Sequence, residues 1–127
     1  MRYVLAHDVG TTGDKATLYD EEGALVGSAF VAYETLYPHA GWAEQRPQDW
    51  WGSCRRSTRS LLDTSGVDPG EIACVAFSGQ MMGAVAVDAQ ANPVRNAIIW
   101  ADQRAVSQVE RVAQRVEIGR ASCRERV

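Results

Sequence analysis

Residues 7–14 read HDVGTTGD, between an apolar run, Tyr3-Val4-Leu5-Ala6, and an alternating run from Lys15 to Asp20. Two strands joined by this turn make a hairpin, and the turn carries more than a hairpin needs, since a pair such as Asn-Gly is enough. Gly10 and Gly13 are expected to let the backbone turn tightly and approach an anion with no side chain in the way. Successive N–H groups in such a turn form an anion-binding concavity. Thr11 and Thr12 add hydroxyl donors, and Lys15 adds a positive charge. Asp8 would repel a phosphate, so it makes sense only with a cation between the two. Mg²⁺ is held in that way, through one or two carboxylates plus substrate phosphates. Read alone, the motif also fits a decorated turn in which Asp and Thr hydrogen-bond the local backbone. His7 beside Asp8 raises a transition-metal site, but no partner sits at ligand spacing. An alternating strand position is the plainer reading.

The rest of the chain extends the pattern. Strands are expected over 3–9, 14–20 and 24–33, with a turn at Asp20-Glu21-Glu22-Gly23, which makes a three-stranded antiparallel meander. On the second strand Ala16, Leu18 and Asp14 share one face, and Lys15, Thr17 and Tyr19 the other. After an irregular stretch, Pro47 suits the first position of a helix and Asp49 its first turn. Trp50, Cys54, Ser57 and Leu61 fall on one face at helical spacing, and the helix is expected to end near Asp63, before Gly66 and Pro69. Residues 72–77, IACVAF, form a continuous apolar run that predicts a strand buried on both faces. A helix feeding such a strand implies an α/β layer. Further strands are expected over 84–88 and 97–100. A last helix opens near Asp102 and carries Val106, Val109, Ala113 and Val116.

Net charge is −3, so no basic surface argues for nucleic acid or an anionic membrane, and no apolar stretch approaches the ~20 residues that span a bilayer. Cys54, Cys74 and Cys123 are odd in number and lack metal spacing, so they read as reduced cytosolic thiols. Residues 117–127, EIGRASCRERV, differ in kind: arginine supplies three of eleven residues, and the apolar helical pattern stops at Val116. One codon choice for this stretch resembles a common sequencing-adapter oligonucleotide translated in frame. The tail is therefore expected to be a read-through artefact and is set aside from fold reasoning. A basic, solvated helix end is the competing reading.

Four stretches, HDVGTTGDKATLYD, GWAEQRPQDWW, AFSGQMMGAVAVD and NAIIWADQRA, together resemble the FGGY carbohydrate kinases, with a xylulokinase-like flavour. They occur in that family's order and at similar spacing. The resemblance implies an α/β fold, the first part of the N-terminal actin-like (ribonuclease H-like) ATPase domain. Residues 1–116 would be that partial domain. It implies ATP-dependent phosphorylation of a carbohydrate hydroxyl, a pentulose such as xylulose being favoured, with ATP and Mg²⁺ as cofactors.

Residue by residue, the resemblance assigns Asp8 to the Mg-ATP site and Gly10, Thr11 and Thr12 to the loop facing the transferred phosphate. Lys15 stands where the family is often basic. Gln80, Met81 and Met82 fall in the sugar-contacting loop. Similar xylulokinases often have Gln-Met-His-Gly there, and Met82 cannot donate a hydrogen bond as histidine can. Core filling is the plain alternative for both methionines. Trp100, Asp102 and Arg104 form the family's Trp-x-Asp-x-Arg stretch near the sugar. Asp102 either orients hydroxyls or caps the last helix. Trp42, Glu44 and Gln45 resemble the family's Trp-x-Glu-Gln segment, with Trp42 near substrate or packed under a loop. The family's catalytic Asp lies far downstream, so no residue here takes that role, and the fragment is expected to be inactive. The resemblance also implies a cytoplasmic protein and leaves a homodimer of the full-length parent open. A non-catalytic sugar-binding regulator and another actin-like ATPase are the rival readings.

Overall fold

The computed structural model describes residues 2–115. The expected tail at 117–127, and Val116 of the last helix, lie outside the described residues. Strand alternation at the N-terminus forms as the pattern predicts: β1 is Tyr3–Val9, β2 is Gly13–Tyr19 and β3 is Leu25–Ala32. All three pair antiparallel in sequence order, and the expected meander is present.

A 19-residue helix follows, α1 (Pro47–Ser65), with Pro47 in its first turn and Asp49 beside it. It ends two residues later than expected. Gly66 adopts the left-handed conformation at φ 68° and returns its N–H to Leu62 O, which satisfies a helix-end carbonyl at no steric cost. The face carrying Ser53, Cys54, Ser57 and Leu61 is buried against β2 and β3. Leu5, Ala16, Leu18 and Leu61 form the core of this layer. Each buried leucine stabilises it by about 1.5–3 kcal/mol.

A 3₁₀ turn at Pro69–Glu71 leads into β5 (Ile72–Gly79), which runs parallel to β1 and gives the sheet order β3-β2-β1-β5. The helix crossover between β3 and β5 is the expected α/β layer. Burial on both faces of the IACVAF strand is not observed. α1 packs on β2 and β3 and leaves an open groove beside β5, so Val75 and Phe77, which line that groove, remain exposed.

Two further expectations change. Residues 84–88 form no strand and contribute only isolated bridges, Ala84 to Ile98 and Val87 to Pro93. The 97–100 strand shrinks to β6 (Ala97–Ile98), which pairs antiparallel with β4 (Glu44–Gln45). This small sheet is separate from the main one. The last described helix, α2, is Val106–Ala113. Its N-terminal cap is Ala105, so Asp102 does not cap it. Asp102 is instead drawn into an ion cluster described below.

Candidate active site

The carboxyl ends of β1 and β5, the start of α1 and the small sheet meet at one end of the molecule. In open α/β sheets this is where ligands bind. His7 is buried under α1, and strand alternation therefore sends its neighbour Asp8 to the opposite, exposed face. Asp8 stands directly across from Lys15 in the β1–β2 register. Among the described residues, no hydrogen bond or ion pair occupies the Asp8 carboxylate. An exposed, unspent oxygen donor of this kind suits a hard cation such as Mg²⁺.

The turn at 10–13 is held from several sides. Gly10 N–H donates to Gly13 O at 3.0 Å, and Tyr33 N–H donates to Thr12 O at 3.3 Å. The Tyr33 hydroxyl donates to Gly10 O. Burial, then the negative charges of Asp14, Cys54 and Asp8, push this phenol up to about 12, so it remains a donor. Neither Gly10 nor Gly13 has a positive φ. Gly13 is required for the space it leaves. A Cβ there would lie 2.5 Å from the Phe30 ring and 2.6 Å from Val31 O, whereas one at Gly10 would meet nothing closer than 3.5 Å.

Gln45, fully buried, joins the turn to the loop after β5. Its side-chain amide donates to Thr11 O at 2.7 Å and to Thr35 Oγ1 at 2.8 Å. Its carbonyl oxygen accepts from Trp50 Nε1 at 2.9 Å and from Gln80 Nε2 at 2.7 Å. The Gln80 backbone N–H donates to Val9 O at 2.9 Å, which continues the β1–β5 ladder. Gln80 Oε1 is buried and has no hydrogen-bond partner among the described residues. Gln80 and Met82 line a small pocket of about 220 Å³ together with Val9, Trp50 and Ile99. Met81 and Met82 are not core filling: both are exposed, and Met82 is held at φ 62°, an unusual backbone state for a residue with a side chain.

Trp100 reaches the same place, donating from Nε1 to Thr11 Oγ1 at 2.9 Å. Asp102 and Arg104 do not point freely into the site. Asp102 accepts from Ala43 N at 2.7 Å, from Arg104 N at 2.9 Å and from the Arg104 guanidinium in a two-point fork. Arg104 also donates to Glu44 Oε1 at 2.7 Å and lies over the Trp42 ring, 3.8 Å from its centre. Arg95 and Asn96 complete the Glu44 contacts. The Arg104 guanidinium holds both the Asp102 and Glu44 carboxyls below the usual range, against the opposing effect of burial. Trp42 is half-buried and in contact with Arg104 and His39. Tyr33 was invisible to motif reasoning, because it lies outside every motif and acts through one hydroxyl.

The description "FGGY family of carbohydrate kinases, N-terminal domain" matches residues 3–126. The chain belongs to the FGGY family of carbohydrate kinases. It is 38% identical over 103 residues to a glycerol kinase of Marinomonas sp. (strain MWYL1), covering 80% of this chain and 21% of that protein. It is 34% identical over 110 residues to a xylulose kinase of Staphylococcus xylosus, covering 87% and 22%. A crystal structure described as a xyloylose kinase from Brucella ovis superposes with a TM-score of 0.83 at 34% identity, covering 90% of this chain and 24% of that one. The chain thus spans about a fifth of the length of the curated relatives it matches. The fold is the N-terminal part of the actin-like ATPase domain of these FGGY kinases.

Proposed function

We propose that the full-length protein containing this FGGY domain transfers the γ-phosphoryl group of Mg-ATP to a carbohydrate hydroxyl, with a pentulose such as xylulose as substrate. The observation that carries the sugar side is Gln80 Oε1. An unpaired buried acceptor costs about 1–3 kcal/mol, and a substrate hydroxyl donating to it would relieve that cost. Met82 beside it cannot donate, so the loop reads a sugar through Gln80 and through shape.

On the nucleotide side, Asp8 would hold Mg²⁺, which when bound offsets phosphate charge. Lys15, its cross-strand partner, adds positive charge on the same face. Thr11 and Thr12 offer hydroxyls from a turn that Tyr33 and Gln45 hold in place. Phosphoryl transfer asks a protein chiefly to position the reactants and to offset charge, and this set of residues does both. The base that deprotonates the sugar hydroxyl would come from beyond this chain. Names of relatives favour two substrate classes, xylulose and glycerol, and glycerol is the second reading because of the 38% identical Marinomonas protein. A cytoplasmic location belongs to the same proposal.

The test is ADP release by the full-length protein across pentuloses, glycerol and gluconate. Asp8→Ala should abolish sugar-dependent release with an unchanged fold. Gln80→Ala should raise the KM for sugar while leaving that for ATP nearly constant. Normal turnover by the Asp8 variant would overturn the Mg-ATP assignment, and turnover of glycerol alone would replace the pentulose.

A further inference from the structure

His7, Asp14 and Cys54 come from three different elements, β1, β2 and α1, and all three are buried. One donor atom from each, an imidazole nitrogen, a carboxylate oxygen and a thiol sulfur, lie within 4.8 Å of one another. Spacing along the chain conceals this, since the partners of His7 are supplied by the hairpin and by the helix packed on it.

Counting hydrogens shows what the cluster lacks. Thr58 Oγ1 has one proton, and it goes to Cys54 O at 2.7 Å. Toward His7 Nε2, at 3.1 Å, Thr58 can then only accept, so Nε2 carries the hydrogen. In neutral imidazole that leaves Nδ1 with a lone pair, aimed at Asp14 Oδ2 at 2.9 Å and Oδ1 at 3.2 Å. Two lone-pair donors at this distance need a positive particle between them. A proton would serve Nδ1 and the carboxylate, and leave the Cys54 thiol as a hydrogen-bond donor to Asp14. A divalent ion would use all three.

We propose that His7 Nδ1, Asp14 and Cys54 Sγ form a zinc site that ties β1, β2 and α1 together behind the Asp8–Lys15 turn. The mixed N, O and S donor set selects a borderline-soft ion such as Zn²⁺ over Mg²⁺ or Ca²⁺. One carboxylate and one thiolate cancel its charge, as a buried site requires. A tetrahedral site with bonds of 2.0–2.3 Å needs donor separations of about 3.3–3.8 Å, closer than the 4.8 Å within which the three atoms lie. The outer contacts are already in place: Thr58 fixes the imidazole through Nε2, and the Ser57 hydroxyl donates to Asp14. Formation of the zinc–sulfur bond replaces the Cys54 S–H bond and releases one proton to solvent, and no oxidant or reductant takes part. His7 and Cys54 border the open groove between α1 and β5, with Trp51, Val75 and Phe77, which gives the ion a route in.

The proposal is independent of the kinase reading and is tested on this chain alone. Co²⁺ replaces Zn²⁺ as a coloured probe, in a background with Cys74→Ser and Cys123→Ser so that only Cys54 can supply a thiolate. One equivalent of Co²⁺ should give a thiolate-to-cobalt charge-transfer band with the visible bands of a tetrahedral ion, and Zn²⁺ should displace it. Cys54→Ala should remove the band. Thr58→Val, which keeps the side-chain shape and removes the Nε2 acceptor, should weaken binding about 10–100-fold. This second variant decides the matter should Cys54→Ala fail to fold. A folded chain with no band, a band that persists in Cys54→Ala, or unchanged affinity in Thr58→Val would each overturn the zinc site and leave a proton between His7 and Asp14.

Discussion

Gln80 Nε2 lies 2.7 Å from Gln45 Oε1, and Gln45 Nε2 lies 2.7 Å from Thr11 O. One buried amide therefore connects the loop after β5 to the turn after β1. A shift of either loop must be felt by the other, because the amide has no spare donor or acceptor to compensate.

Gln45→Leu is expected to destabilise the chain by at least about 3 kcal/mol, since it strands Thr11 O, Trp50 Nε1 and the Gln80 amide together. Urea denaturation measures this. In a full-length kinase the same change should raise the KM for both substrates, whereas a change confined to one would show that the two loops are not coupled through this side chain.

Gly13→Ala and Gly10→Ala should behave differently despite sharing one turn. At Gly13 the new methyl meets the Phe30 ring and Val31 O, and a loss of about 1–3 kcal/mol is expected from overpacking. At Gly10 it meets only ordinary contact distances, and the change should stay within about 0.5 kcal/mol. Equal effects in thermal melts would contradict the contact geometry.

Acid should weaken the loop layer through Glu44 and Asp102. Both carboxyls are held below their ordinary values of 4.5 and 3.8 in the folded chain, first by Arg104. A depressed folded value means that the unfolded chain takes up protons first. The stabilisation is thus complete above the ordinary values and is lost as pH falls from about 5. Arg104→Met should flatten this acid slope, read as the urea midpoint between about pH 6 and pH 3. An unchanged slope would place the acid sensitivity elsewhere.

The free edge of β5 should govern solubility. Val75 and Phe77 are exposed on a strand whose outer edge has no partner among the described residues, a template for pairing between chains. Val75→Lys should reduce light scattering at a given concentration without altering the circular dichroism of the fold. Unaltered scattering would point to the apolar stripe of α2, where Val106, Val109 and Val112 are also exposed.

Much of this protein was legible in local pattern. Alternation placed β1, β2 and β3, and Pro47 with the Trp50–Leu61 spacing placed α1, because these signals act over a few residues. The HDVGTTGD turn, and its likeness to FGGY kinases when read with GQMMG and WADQR, was legible for the same reason. Tertiary contact decided the rest. The 84–88 run is as apolar as a strand, yet it only bridges Ile98 and Pro93, since no neighbouring strand extends beside it. IACVAF is as apolar as a buried strand, yet α1 covers β2 and β3 instead. Gly13 is needed for the space beside Phe30 and not for its dihedral freedom. Asp102 is spent on Arg104 and Ala43, and His7 finds Asp14 and Cys54 only when the hairpin closes and the helix lands on it. Periodicity specifies which way a side chain faces. What it meets there depends on elements far along the chain, and only the packed structure brings them within hydrogen-bonding reach.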